Sequence, residues 1–303
     1  MELPFALVRA LHFAACLLPL SVFTTTLLVV KPAAAPGAGG WSPRGFHRLL
    51  PACCVAAAAV SGFCWFWFSI AQMSGLPLRE SLSAGLFKMV LTQTQPGQVW
   101  RMRAVACLLL ALAMMPGLPR WVYYIRLLLA ACMAGSLAWL GHAGAVEGMA
   151  ADFHLSCDVL HLLAAAVWPG GLLPFALYLG PLLQTRTQPA LSAAAAATRR
   201  FSAMSMAAVG VLALSGIVNA CFLVGSFHEL FYSAYGRLLL LKLALFAAMI
   251  AMGAVNLLVL KPRLPSPSAL NSITRNVLLE LCLGAAILFV TAVLGITPPA
   301  SHL

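Results

Sequence analysis

Between Gly141 and Gly171 the chain sets three histidines and an aspartate, His142, His154, Asp158 and His161, among almost wholly apolar residues. Ionisable groups beside a bilayer core are costly, so a cluster of them marks an ion path or a bound cofactor. His154, Asp158 and His161 follow one another by steps of four and three, which puts them on one face of a helix with Cys157 beside them. Neutral imidazole is the commonest transition-metal ligand, and a mixed nitrogen and oxygen set suits copper or zinc better than calcium or magnesium. Asp158 is either a direct ligand or an acceptor that fixes an imidazole tautomer. Cys157 and Met149 either add soft character for Cu(I) or simply pack. A single histidine would more naturally be a hydrogen-bonding residue between helices.

These residues need a membrane scaffold. The chain is 62% hydrophobic and 8% charged over 303 residues, a balance that a soluble domain does not tolerate. Apolar runs of spanning length cover roughly residues 7–30, 49–72, 100–117, 121–142, 154–180, 201–224, 236–260 and 276–296. Eight helices in an all-α polytopic bundle are therefore expected, since lipid-facing irregular backbone is forbidden and no alternating strand pattern competes. The first run is read as a retained helix, because MELPFALVRA is not basic and the run exceeds a signal core. The nine cysteines form no CxxC pair, so structural disulfides are not expected.

The net charge of +11 is distributed as a topology signal rather than as a nucleic-acid surface. Loops after the first, third, fifth and seventh runs hold Lys31, Arg44, Arg48, Arg120, Arg186, Arg199, Arg200, Lys261, Arg263 and Arg275 and no acid. The other loops and the ends hold Arg79 and Lys88 against Glu2, Glu80, Glu147, Asp152 and Glu229. By the positive-inside rule both termini lie away from the cytoplasm. His12, His142, His154, Asp158 and His161 then all fall in the outer half of the membrane.

A weak self-similarity divides the chain into halves, 1–150 and 151–303. Leu11-His12 resembles Leu160-His161, Ser61-Gly62 matches Ser215-Gly216, Gly97 and Arg103 match Gly236 and Lys242, and Leu140-Gly141 matches Leu294-Gly295. Two four-helix halves of one orientation would be related by an axis along the membrane normal, with a site near their interface. The same alignment sets Arg126 against Glu280, an expected buried ion pair. Arg103 and Lys242 are expected to snorkel to the outer headgroups. Segment 73–99 carries a short interfacial or re-entrant helix. Trp168, Gly170 and Gly171, with Pro169 between them, mark either a hinge that frees carbonyls or close helix packing.

The order of Leu11-His12, Gly141-His142-Ala143, Asp158 through His161 to Trp168 with Gly170-Gly171, Arg200-Phe201-Ser202, Ser215-Gly216 with Asn219, Tyr235-Gly236-Arg237 through Lys242, and Asn256 resembles the copper-resistance D (CopD) family of bacterial inner-membrane proteins. Pro169 stands where that family would lead one to expect an aliphatic residue. The resemblance implies copper movement across the inner membrane, usually uptake, served in some cases by a periplasmic copper-binding protein of the CopC type. The expected reading is a copper transporter without enzymatic activity, whose copper ion is Cu(I) or Cu(II). In it, His142 and His154 receive the ion and His12, Asp158 and His161 hold it more deeply. A haem-binding redox protein and a non-transporting copper sensor or assembly factor are the alternatives.

Overall fold

The computed structural model describes residues 2–30, 43–141 and 148–299, and every regular element among them is helical. In chain order the helices are α1 Glu2–Thr25, α2 Pro43–Ser74, α3 Ala84–Gln93, α4 Gln95–Ala113, α5 Val122–Gly135 and α6 Met149–Val167. They continue with α7 Leu172–Thr185, α8 Gln188–Val224, α9 Phe227–Tyr232, α10 Ala234–Val255 and α11 Pro267–Leu294. Among the described residues seven stretches are long and apolar enough to cross a membrane: Glu2–Val30, Arg48–Ser74, Val122–Leu140, Met149–Thr185, Gln188–Val224, Ala234–Arg263 and Pro267–Leu294. Helix α4 is 19 residues long but carries Gln95, Gln98, Arg101 and Arg103, which keep it out of that set.

Two boundaries differ from the sequence expectation. Helix α8 begins at Gln188, so Arg199 and Arg200 lie on a helix instead of in a loop. The cause is the alanine run before them, which combines the best helix former with small side chains. Ala190, Ala193, Ala194 and Ala197 are buried in the cluster that holds Phe175 and Leu179 of α7. Segment 73–99 holds the short α3, and the chain enters α4 after a single residue, Thr94, whose hydroxyl accepts from the Gly97 N–H at 3.1 Å.

The break between α6 and α7 has a definite chemistry. Pro169 has no N–H to give the carbonyl of Ala165, and the Gly170 N–H takes that carbonyl instead at 3.0 Å. The Ala166 carbonyl is thereby left over, and it accepts from the Ser21 hydroxyl of α1 at 2.7 Å. Gly170 permits this because a Cβ there would run into Ser21 Oγ. Trp168 is buried at the break, edge-on to Phe246 at 5.9 Å. The interruption both loosens the helix and ties it to α1.

Candidate functional site

The helices position two polar nests, each built on a histidine whose ring is anchored by a serine of the next long helix. His12 on α1 lies 3.0 Å through Nδ1 from Ser61 Oγ of α2, and the Ser61 hydroxyl donates to the Ala57 carbonyl at 2.6 Å. Arg103 Nη2 of α4 reaches His12 Nε2 at 2.7 Å. A guanidinium only donates, so Nε2 is the accepting nitrogen and Nδ1 carries the proton given to Ser61. Gly62 makes room for the ring: a Cβ there would stand 3.0 Å from His12 Cε1. Trp65 and Trp100 enclose it, each with its ring centroid 5.4 Å away.

The second nest repeats this arrangement around His161 on α6. Its Nδ1 lies 3.0 Å from Ser215 Oγ of α8, the Ser215 hydroxyl donates to the Val211 carbonyl at 2.6 Å, and Gly216 faces the ring, where an added Cβ would stand 3.4 Å from Cε1. Because the serine proton is committed to Val211, the imidazole must donate through Nδ1. Its remaining acceptor is the Nε2 lone pair, the form in which a histidine binds a metal. Asp158, one turn before it, accepts from Asn219 Nδ2 at 2.9 Å through Oδ1, while Oδ2 lies beside Gly141. Lys242 lies on α10 and is half-buried.

Helix α6 carries Asp158 and His161 into the bundle as the spacing predicts. His154 is on the same helix, buried at 6% exposure and stacked on Phe222 with centroids 4.6 Å apart. Cys157 is buried and Met149 is exposed. His142 lies outside the described residues, as do Glu147 and His302. His228 is solvent-exposed beside Glu229 at 3.4 Å. Among the described residues no three His, Cys, Asp or Glu side chains gather into a metal-holding group. The histidines therefore form separate nests.

Two expectations are corrected. Arg103 does not snorkel: it is 3% exposed, and besides His12 it donates to the Met133 carbonyl at 3.1 Å, to Ser136 Oγ and to Cys16 Sγ at 3.2 Å. The inward acceptors outcompete the headgroups because they are preorganised on α1 and α5. Arg126 and Glu280 form no ion pair; Arg126 Nε donates to the Ala113 carbonyl at 2.6 Å, and Glu280 accepts from Asn256 Nδ2 at 2.8 Å. Asn256 in turn accepts from Asn276 Nδ2 at 2.8 Å.

Sequence reasoning passed over Arg9 and Cys16. Arg9 is buried one turn before His12, over the Trp65 ring at 4.3 Å, and lines a cavity of about 490 Å³ with Gln95, Gly141 and Thr297. Both residues share the His12 face at helical spacing, and an arginine inside an apolar helix was the available signal.

The Ser215 bond to His161 yields a direct expectation. Ser215→Ala removes the acceptor that orients the ring, and loss of an orienting partner typically costs about 10–100-fold in metal affinity. The apparent copper affinity of the purified variant, measured by chelator competition, is expected to fall by that order with little change in membrane yield.

The fold and its buried histidine nests define a multi-pass helical membrane protein with an intramembrane polar site. Residues 195–294 match the family Copper resistance protein D, and residues 1–152 match the Copper resistance protein D-like N-terminal domain. The chain belongs to the copper resistance protein D family. It is 33% identical over 222 residues to Copper resistance protein D of Pseudomonas syringae pv. tomato, covering 70% of this chain and 71% of the relative. Inner membrane protein YebZ of Escherichia coli (strain K12) is 32% identical over 75% of this chain and 77% of its own length. Copper transport protein CutJ of Bacillus subtilis (strain 168) is 31% identical over 72% of this chain, which corresponds to 40% of that relative. No solved structure matches. The chain is thus a multi-pass inner-membrane protein with a copper-related function.

Proposed function

We propose that this protein carries copper across the bacterial inner membrane, from the periplasm to the cytoplasm, through the second half of its bundle. One observation supports this reading above the others: His161, held through Nδ1 by Ser215, keeps Nε2 as its accepting nitrogen one turn from Asp158 on the same face of a spanning helix. His142 and His154 receive the ion, and His161 and Asp158 bind it, with His12 in the opposite half. The relatives' names, a copper transport protein and a copper resistance protein, favour copper as the cargo. No residue pattern for nucleotide hydrolysis accompanies the site, so gradients or trapping of copper inside drive the movement. A CopC-type periplasmic protein is the proposed donor.

The proposed architecture is eight spans in two four-helix halves, 1–150 and 151–303. Helix α4 supplies the eighth span: at 19 residues it is about 28 Å long, and its Arg103 is turned inward. The duplication is supported by paired geometries in the same order. His12 with Ser61 and Gly62 parallels His161 with Ser215 and Gly216, and the Thr94 cap on Gly97 parallels the Ser233 cap on Gly236. Phe5 stacked on Phe68 parallels His154 stacked on Phe222. The loop charges favour both termini being periplasmic.

Metal analysis and radiocopper flux in proteoliposomes, run with Cu(I) and with Cu(II), test the reading. Wild-type protein is expected to bind copper and move it, and Asp158→Asn to lower the flux on the order of tenfold. A stoichiometric Soret band without bound copper would overturn the reading in favour of haem. Bound copper without flux would leave a sensor or assembly factor.

A further inference from the structure

We propose that His12 Nε2 and Cys16 Sγ form a second cation site, selective for Cu(I), which the Arg103 guanidinium fills as a tethered stand-in until the metal displaces it. The inference rests on the copper reading above and extends it from His12 to Cys16 and Arg103. Cys16 follows His12 by one turn of α1, and its sulfur lies 3.5 Å from Nε2. Arg103 Nη2 contacts both atoms, at 2.7 Å from the nitrogen and 3.2 Å from the sulfur. A single positively charged group therefore already uses the two lone-pair donors that a soft ion would use. Imidazole with a thiolate, and no carboxylate, is a donor set that selects Cu(I).

Arg103 is built to let go on one side. Nη1 is anchored on α5 by the Met133 carbonyl and Ser136, while Nη2 holds His12 and Cys16. Its Nε is buried without any hydrogen-bond partner, so the guanidinium sits short of its full complement. Swinging Nη2 away leaves the anchor intact and frees both donors together. When Cu(I) enters, the thiol proton leaves to bulk water, the sulfur–copper and nitrogen–copper bonds form, and copper stays Cu(I) throughout. The second nest has no such pair. Ala165 stands four residues after His161, where Cys16 stands after His12. The two halves thus offer unlike donors, nitrogen with sulfur in one and nitrogen with oxygen in the other.

The experiment uses the full-length protein in detergent, with accessible thiols blocked by N-ethylmaleimide; Cys16, 1% exposed, is shielded. One equivalent of Cu(I) is added under anaerobic conditions, and copper-edge X-ray absorption and competition with bicinchoninate are recorded. The expected wild-type signature is a sulfur neighbour that disappears in Cys16→Ser and persists in His161→Ala. Arg103→Gln is expected to bind Cu(I) more tightly at this site by about tenfold, the scale on which a like charge at this range alters proton affinity. Arg103→Lys, which keeps the charge without the fork, is expected to gain less. The proposal falls if wild-type protein shows no sulfur neighbour, if Cys16→Ser keeps it, or if both Arg103 variants bind Cu(I) no better than wild type. Copper bound through His161 with no dependence on Cys16 would overturn this site while leaving the transport reading standing.

Discussion

Cells carrying His161→Ala are expected to lose copper-dependent accumulation while keeping wild-type amounts of protein in the membrane. In the proposed path the imidazole is the nitrogen donor one turn from Asp158, and the alanine leaves only a carboxylate already engaged by Asn219. The protein survives because nothing else is orphaned: the Ser215 hydroxyl keeps its bond to the Val211 carbonyl at 2.6 Å when the ring is gone. The space left adjoins Gly216, which tolerated the ring at van der Waals distance. His154→Ala is expected to share the transport defect. Accumulation of radiocopper, compared with membrane yield by immunoblot, decides the matter. Normal accumulation in His161→Ala would end the assignment of the second nest as the ion path.

Gly97→Ala and Gly236→Ala are expected to remove most folded protein, each for the same reason. At both positions a short helix, α3 or α9, runs after a single residue into a long helix, and the glycine lies against the carbonyls of the turn before it. A Cβ at Gly97 would overlap the carbonyl oxygens of Val90 and Leu91, and one at Gly236 those of Glu229 and Leu230. Backbone cannot rotate aside as a side chain does, so the cost is that of overpacking, about 1–3 kcal/mol or more. Gly85→Ala and Gly253→Ala are the internal controls, since an added methyl meets nothing within 4 Å at either. Both controls are expected to be neutral or slightly stabilising by helix propensity. Detergent-soluble, monodisperse yield by fluorescence size exclusion separates the outcomes; a wild-type peak for Gly236→Ala would refute the packing argument.

Much of the site was legible because helical spacing is a local property. Asp158 and His161 could be placed on one face from their separation alone, and Ser215-Gly216 could be paired with Ser61-Gly62 by order. What spacing does not reveal is which way a long cation turns. Arg103 looked like a snorkelling residue, and only the neighbouring helices supply the inward acceptors, the Met133 carbonyl, Ser136 and His12, that reverse the expectation. Arg126 and Glu280 failed as a pair for a related reason. Each found a nearer partner across a helix interface, the Ala113 carbonyl for Arg126 and the Asn256 amide for Glu280.

The sequence by itself determined an all-helical membrane protein, seven of the eight expected spanning runs, the resemblance to the copper-resistance family and the histidines at which to look. The fold class and the spans follow from composition and local periodicity, whereas the family rests on a resemblance carried by the order of its motifs. Only the tertiary structure decided that the histidines sit in two separate nests, each with its tautomer fixed by a serine across a helix interface. It also turned Arg103 inward onto His12 and Cys16. Such choices depend on which acceptors come within hydrogen-bond reach once helices distant in sequence are packed, and no single segment contains that information.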